Sequence, residues 1–361
     1  MSVIVIALVQ KIETEILDTP DNLKTQLTQS SPTPFAATIW EDQPNLFEQL
    51  HRRLASFAPN TQRALASDWK VWRTWCVENA RMEFPASPKD ISEFALAHSP
   101  PLYTDQTGAV TMDPEATGPL IRRATTVQRW LASLATLHRV ANAPDPTKSE
   151  DVKAARRLIS RGRGNASQRA PLHWKDVQAA LGALGNSPRD LRAKAMISVA
   201  YSTMARRAEL VGIRVEDITP GLDGDGTVTL RTKGGAIQER YLAREARTAL
   251  EEWRRAMKIK KGPVFLAITR DGSIGSKAIT SAEVARTFKR IAKLIGLDAE
   301  AAGNISGHST RIGAAQDLTT AGAALPEIMA AGGWRSPGMP ARYARKLDAR
   351  RGAMREWLTR R

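Results

Sequence analysis

Residues 161–171, RGRGNASQRAP, constrain the fold more than any other part of this chain. They combine glycine, serine and proline with arginines, a composition that is typical of a linker rather than of a helix or strand. A chain of 361 residues is also longer than most single domains. We therefore expect a helical domain over 41–160 and a second domain over 172–361, joined by this basic linker. The polar residues 1–40 are expected to form a flexible tail.

The N-terminal half shows helical spacing of its apolar residues. A first helix is expected from Pro44, and a second follows Asn60, which we interpret as its N-cap. The apolar stripe of this second helix contains Trp69, Trp72, Trp75 and Cys76. The other expected elements are helices from Pro88, over Val127–His138 and over Lys148–Ser160, and a loop over Ser99–Gly118.

The C-terminal half mixes helical and strand patterns. Alternation predicts strands over Thr227–Arg231 and Ile237–Tyr241, and Gly234-Gly235 between them is typical of a hairpin turn. A third, short strand is expected over Val264–Leu266. Helices are expected over Trp174–Leu184, Arg189–Tyr201, Glu283–Leu294, Thr310–Ala321, Pro326–Ala330, Gly338–Lys346 and Ala349–Arg361. The expected fold class is mainly α with a small antiparallel β-sheet in the C-terminal domain.

The charge of the chain points to a polyanionic partner. Its 53 lysines and arginines exceed its 37 aspartates and glutamates, which gives a net charge of +16. The excess is lopsided: residues 1–170 hold 20 basic and 18 acidic side chains, and residues 171–361 hold 33 and 19. Such an excess favours nucleic acid as the partner, although a merely soluble basic surface would show it too.

Cysteine and histidine usage indicates neither a disulfide nor a metal site. Cys76 is the only cysteine, so no internal disulfide can form, and its apolar neighbours favour core packing over thiol chemistry. The five histidines show no metal-ligand spacing, and we expect neither metal nor cofactor. The apolar run Val3–Val9 is too short to span a membrane and lacks a basic flank, which favours a cytoplasmic protein without a membrane partner.

Several positions carry side chains suited to phosphodiester cleavage. That reaction needs a nucleophile, cations for its transition state, a proton acceptor and a proton donor for the leaving oxygen. Tyr343 is one of only four tyrosines and is flanked by arginines. Arg206 can be held by Glu209 three residues later, and His308 and Arg311 lie three apart at a helix start. Each feature alone is also typical of a solvated surface or a helix end.

The order of these residues resembles the active-site signature of the tyrosine recombinase (phage integrase) family. It reads Arg206-x-x-Glu209, Lys233 on the hairpin, His308-x-x-Arg311, Gly333-Trp334 and Tyr343. The runs Ser306–Asp317 and Leu325–Trp334, with shorter blocks, extend the resemblance from about Leu46 to Met354. The resemblance implies a two-domain, C-shaped clamp on DNA and a catalytic C-terminal domain.

The resemblance also implies a role for each residue of the set. Tyr343 would attack the scissile phosphate, giving a 3′-phosphotyrosyl link and a free 5′-hydroxyl. Arg206 and Arg311 would hold the non-bridging oxygens, Trp334 would donate its indole N–H to the same phosphate, and Glu209 would orient Arg206.

Proton transfer would fall to two further residues. Lys233 would protonate the departing 5′-oxygen, and His308 would take the tyrosine proton or hold a phosphate oxygen. The phosphotyrosyl link conserves the energy of the broken bond, so rejoining would need neither ATP nor metal.

Partners follow from the same resemblance. They are double-stranded DNA with inverted-repeat target sites and, through the C-terminal helix, three further copies of the chain in a tetramer on two DNA sites. The apolar stripe of that helix favours docking on a neighbour, with folding back on its own domain as the alternative. Such a protein would be nucleoid-associated in a bacterium.

The residues expected to contact DNA lie on the polar positions of two N-terminal helices and in the linker. They are Gln62, Arg63, Lys70, Arg122, Arg123, Gln128, Arg129, Arg161 and Arg163. Each is also typical of a solvated face. Two other functions stay open at this point: a non-catalytic DNA-binding protein of the same fold, and a type IB topoisomerase that relaxes DNA without site preference.

Overall fold

The computed structural model describes residues 44–104, 108, 110–113, 116–161, 169–232, 235–269 and 272–344. These residues form two compact units that are separated along the chain by the gap at 162–168. The expected tail, most of the linker and the terminal helix Ala349–Arg361 lie outside the described residues. None of the helices in the described ranges is long and apolar enough to cross a membrane.

The first unit is helical, with one short antiparallel hairpin among its described residues. Its elements are α1 (Pro44–Ala55), α2 (Pro59–Glu78), α3 (Pro88–Ala97), β1 (Leu102–Thr104), β2 (Val110–Met112), α4 (Ala124–Val140), a 3-10 turn (Pro146–Lys148) and α5 (Glu150–Arg161). The order and type of the helices agree with the sequence-based expectation.

The core of the first unit is built on the predicted stripe of α2. Trp72 and Cys76 are fully buried, and Phe94 of α3 meets the Trp72 ring edge-on at 5.1 Å between centroids. Trp130 of α4 lies 5.6 Å from the same phenylalanine. Burial raises the pKa of the Cys76 thiol to about 12, so this thiol stays protonated and packs as an apolar group, as predicted.

Two local predictions in this unit were wrong. Asn60 does not cap α2: the helix already begins at Pro59, and its N-cap Ala58 makes no side-chain cap bond. Proline suits the first helical position because its φ is preset and its missing N–H needs no partner there. The expected loop Ser99–Gly118 contains the β1–β2 hairpin, whose three-residue strands are too short to show an alternating pattern.

The second unit combines helices with two small antiparallel sheets in its described part. Its elements are α6 (Trp174–Ala183), α7 (Pro188–Ser202), α8 (Arg207–Val211), a 3-10 turn (Val215–Asp217), β3 (Ile218–Pro220), β4 (Gly226–Arg231), β5 (Ile237–Leu242), α9 (Arg244–Ala256), β6 (Leu266–Ile268), β7 (Ile274–Ala278), α10 (Ser281–Leu294), α11 (Ala299–Asn304), α12 (Ser309–Thr320), α13 (Leu325–Gly332) and α14 (Gly338–Ala344).

The described part of the second unit contains two small sheets, where the sequence predicted one. β4 lies between β3 and β5, and its inward residues Val228 and Leu230 are buried, as the alternation predicts. β6 and β7 pair separately. The third strand was predicted over Val264–Leu266 but is formed by Leu266–Ile268. Val264 and Phe265 are apolar because they are buried in the core, outside the strand.

Helix α7 is the central helix of this unit. Nearly all of its residues from Arg192 to Ala200 are buried, against α9, α10 and α12 among others. A helix that is covered on most sides shows little amphipathic pattern, and its position is fixed by its neighbours. The segment Thr203–Arg206 follows its C-terminal end and leads into α8.

Asp317 of α12 ties the start of the second unit to the end of α7. Its carboxylate accepts hydrogen bonds from His173 Nδ1 at 2.7 Å, from the Trp174 amide at 2.8 Å and from the Tyr201 hydroxyl. Since α12 also carries Arg311, this hub fixes α12 relative to α7. The position of Arg311 therefore depends on contacts between residues that are more than 100 positions apart along the chain.

Candidate active site

Arg206 and Glu209 form the first part of the site, at the start of α8. The Arg206 Nη1 donates to Glu209 Oε1 at 2.6 Å, and the Arg206 amide donates to Oε2 at 2.8 Å. The Glu209 side chain is 7% exposed and that of Arg206 is 37% exposed. One edge of the guanidinium is thus held by the carboxylate, while the group stays open to a ligand.

Arg311 on α12 is the most buried cation of the site, with 3% of its surface exposed. Its Nη1 donates to the Met204 carbonyl, and its Cζ lies 3.9 Å from the centroid of the Trp334 ring. Burial, together with the charge of Arg206, lowers its pKa to about 10, which still leaves it cationic at neutral pH. Its buried Nη2 has no hydrogen-bond partner in the described part of the chain. An oxyanion beside Trp334 would supply one.

Tyr343 lies on α14 and is 8% exposed. Its ring meets Trp334 edge-on at 6.0 Å between centroids. Burial raises the pKa of its hydroxyl, and the nearby charges of Arg311, Arg342 and Arg206 act in the opposite direction. The tyrosine therefore needs a proton acceptor to become a nucleophile, and the same arginines would stabilise its phenolate.

His308 precedes α12, where it occupies the N-cap position. Desolvation by surrounding protein atoms, followed by the charges of Arg207, Arg311 and Arg206, lowers its pKa below the usual 6.5. The imidazole is therefore neutral near pH 7 and can accept a proton. A neutral imidazole can accept a proton or donate a hydrogen bond to a phosphate oxygen, although the three arginines make its protonated form less stable.

The turn Gly332-Gly333 positions Trp334. Gly333 has φ +62°, and a Cβ there would lie 1.8 Å from Arg240 Nη2; a Cβ on Gly332 would lie 2.0 Å from the Trp334 ring. Arg240 of β5 donates to the Ala330 carbonyl at 2.8 Å and so joins the sheet to α13. Sequence reasoning missed Arg240, because its only signal was its place on a predicted strand.

Gly333→Ala is expected to lower the free energy of unfolding by about 1–3 kcal/mol, since alanine is strained at positive φ and its methyl would displace Arg240. Chemical denaturation measures this. Gly262→Ala is the matched control: Gly262 has φ +80° but no atom within 4 Å of the added methyl. An equal loss in both variants would show that the contact with Arg240 contributes nothing.

Three of the predicted DNA-contacting side chains, Gln62, Gln128 and Arg129, connect different elements of the first unit. Gln62 donates to a backbone carbonyl in the α1–α2 connection at 2.7 Å. The side-chain oxygen of Gln128 accepts from Arg156 Nε at 2.9 Å. Arg129 pairs with the buried Asp68. These three side chains therefore serve the packing of α1, α2, α4 and α5, whatever else they contact.

The other predicted DNA contacts are exposed or lie outside the described residues. The exposed ones are Arg63, Lys70, Arg122, Arg123 and Arg161. Of these, Arg122 also donates from Nη1 to the Pro119 carbonyl at 2.6 Å. Arg163 and the proposed acid Lys233 fall in the undescribed segments. The remaining predicted site residues, from Arg206 to Tyr343, are brought together in the second unit. Within the described ranges, no group of three or more histidine, cysteine or acidic residues could hold a metal ion.

Comparison with known proteins identifies the family of the chain. The model of the phage integrase family matches residues 151–350. The chain is 30% identical over 341 residues to the recombinase Cre of Escherichia phage P1, covering 89% of this chain and 94% of that protein. It is 27% identical over 288 residues to an integrase/recombinase XerD homolog of Selenomonas ruminantium, covering 76% and 78%.

Solved structures show the same fold. The XerH site-specific recombinase bound to palindromic difH substrate, in a post-cleavage complex, matches with a TM-score of 0.54 at 16% identity, covering 86% of this chain and 87% of that one. A lambda integrase dimer bound to a COC′ core site matches with a TM-score of 0.54 at 16% identity, covering 85% and 95%.

The fold and the site together define an enzyme of the tyrosine recombinase class. With the family model matching 200 of its 361 residues, the chain belongs to the phage integrase family. The family predicted from the ordered residue set is thereby confirmed.

Proposed function

We propose that this protein cleaves and rejoins double-stranded DNA at inverted-repeat target sites through a 3′-phosphotyrosyl intermediate. One observation carries the proposal: Tyr343 is buried beside Trp334, whose ring also covers the cation Arg311. Arg206 lies close enough to affect the pKa of both Arg311 and Tyr343. A buried nucleophile among fixed cations suits attack on a phosphodiester, whose transition state is more negative than its ground state.

The bonds and protons balance without a cofactor. The Tyr343 oxygen forms a bond to phosphorus, and the bond from phosphorus to the 5′-oxygen breaks. His308 takes the tyrosine proton, and Lys233 supplies a proton to the departing 5′-oxygen. Attack of a 5′-hydroxyl on the phosphotyrosyl link reverses each step. Because one phosphodiester is exchanged for another, no ATP is consumed and no metal is required.

The wider assembly is part of the proposal. We expect four copies on two DNA sites, with the C-terminal helix of each docked on a neighbour, and a location in the cytoplasm on the nucleoid. The relatives XerH and lambda integrase were solved bound to DNA, which supports DNA as the partner.

The direct test uses the inverted repeats that flank the gene on its native replicon. Wild-type protein incubated with supercoiled DNA carrying them should form a covalent protein–DNA adduct and recombinant products. Relaxation of plasmids that lack such repeats would indicate a topoisomerase instead. Binding without any adduct would indicate a non-catalytic DNA-binding protein.

The rate of adduct formation should depend on pH through His308. Because its pKa is lowered below 6.5, the imidazole loses its proton as pH rises through a value in the acidic range, and activity is already full at pH 7 with respect to this group. Single-turnover rates measured from about pH 5 to about pH 8, a range that spans the ordinary pKa of histidine, test this. In His308→Gln, the acidic limb should disappear; its persistence would assign the limb to another group.

Lys233→Ala should slow cleavage of an ordinary substrate about 10²-fold, because the 5′-oxygen would leave without a proton. A substrate with sulfur in place of that oxygen has a leaving group that needs no acid, and on it the variant should match wild type. Lys260→Ala, which alters an exposed lysine of the same unit, is the control. An equal defect on both substrates would exclude Lys233 as the acid.

A further inference from the structure

Gln316 makes a contact that the proposed chemistry does not use. It lies on α12, is 5% exposed, and its Nε2 donates to the main-chain carbonyl of Tyr343 at 3.0 Å. Five residues earlier on the same helix lies Arg311. One helix therefore carries both a cation of the site and the anchor of the residue that attacks the phosphate.

Other contacts of Tyr343 are less directional. Its ring packs in a small apolar cluster with Met204, Ile312 and Trp334, and such packing tolerates sliding and rotation better than a hydrogen bond does. The described part of α14 is only seven residues, a length at which a helix depends on tertiary contacts for its position. The buried Gln316 amide, which donates to the backbone of α14, therefore fixes the position of that helix.

We infer that Gln316 is a positioning residue: it holds the Tyr343 backbone in register with Arg311, so that the phenolic oxygen reaches the phosphate that the arginines bind. This inference rests on the proposed function. It deepens that function by naming a residue that acts on the nucleophile alone. Displacement of a reacting atom by about 1 Å can cost on the order of 10²-fold in rate, which sets the scale of the effect.

Gln316→Met removes the donor while retaining the length of the side chain. On a nicked substrate that traps the adduct, the rate at saturating DNA should fall roughly 10- to 100-fold. The DNA concentration for half-maximal rate should change less than about twofold, since the arginines that bind phosphate are untouched. Gln178→Met, at an exposed position of α6, is the matched control and should behave as wild type.

Two further measurements separate positioning from a general loss of structure. The sulfur-substituted substrate should not restore the rate of Gln316→Met, because the defect lies in attack rather than in departure of the leaving group. Gln316→Asn keeps the amide but is one methylene shorter. Its rate at saturating DNA should fall as well, while its DNA concentration for half-maximal rate and its Tm should stay near those of wild type.

The outcomes are distinguishable. A wild-type rate in Gln316→Met would overturn the inference while leaving the proposed function intact. An increase in the DNA concentration for half-maximal rate, with an unchanged maximal rate, would also overturn it, because Gln316 would then serve DNA binding. Absence of any adduct with wild-type protein would overturn the proposed function, and the inference with it.

Discussion

Tyr343→Phe is expected to abolish the covalent protein–DNA adduct, with the rate falling by at least about 10³-fold. Phenylalanine keeps the ring that packs on Trp334 and loses only the attacking oxygen. The fold and the positions of Arg206 and Arg311 should therefore be unchanged. Adduct formation is measured on denaturing gels, and DNA affinity by titration. Affinity for the target site should stay within about twofold of wild type, since the phosphate contacts proposed for the arginines do not involve the hydroxyl.

The chain offers a control for this change. Tyr241, on the last part of β5, is 58% exposed, and Tyr241→Phe should form the adduct at the wild-type rate. An adduct that persists in Tyr343→Phe would show that another residue is the nucleophile. Loss of DNA affinity along with the adduct would mean that the tyrosine serves binding, and the assignment would fail.

Arg311→Ala is expected to slow adduct formation about 10³-fold, which corresponds to roughly 4 kcal/mol of transition-state stabilisation. The side chain is nearly fully buried and anchored on Met204, so its charge acts in a site with little water. A charge fixed in such surroundings needs no rearrangement when negative charge develops on the phosphate. Single-turnover rates at saturating DNA measure the loss.

Two variants test this explanation. Arg311→Lys keeps the charge but not the planar fork, which lies over Trp334 and has the geometry to bind two oxygens, so it should recover only part of the rate. Arg255→Ala removes an exposed arginine at the end of α9 and should leave the rate unchanged. If Arg255→Ala were as slow as Arg311→Ala, a general effect of net charge on DNA binding would explain both.

Most of the secondary structure could be predicted from the sequence, because helical spacing and the glycine hairpin are local signals. The hairpin strands β4 and β5 and the helices α10 and α12 were predicted to within a few residues. The failures included the 13-residue helix α9, for which no helix was predicted, as well as short or buried elements. The three-residue strands β1 and β2 are too short for a period to show, and Val264-Phe265 is apolar for core burial.

The candidate site could be predicted in part because its residues occur in a recognisable order. The pairs Arg206–Glu209 and His308–Arg311 are three apart, so local geometry already brings each pair together. Arg240 and Gln316 could not be found in this way. Their partners, Ala330 and Tyr343, are 90 and 27 residues away along the chain, and no local pattern marks a side chain that bonds to a distant carbonyl.

The sequence by itself determined the family, the types of most elements and the set of residues that could cleave a phosphodiester. These follow from spacing, charge and residue order, which are properties of the chain before it folds. Only the tertiary structure decided that Tyr343 is buried, that the Trp334 ring covers Arg311, and that the pKa of His308 lies below its usual value. The reason is that burial and long-range contacts set both the pKa of a group and the direction of its side chain.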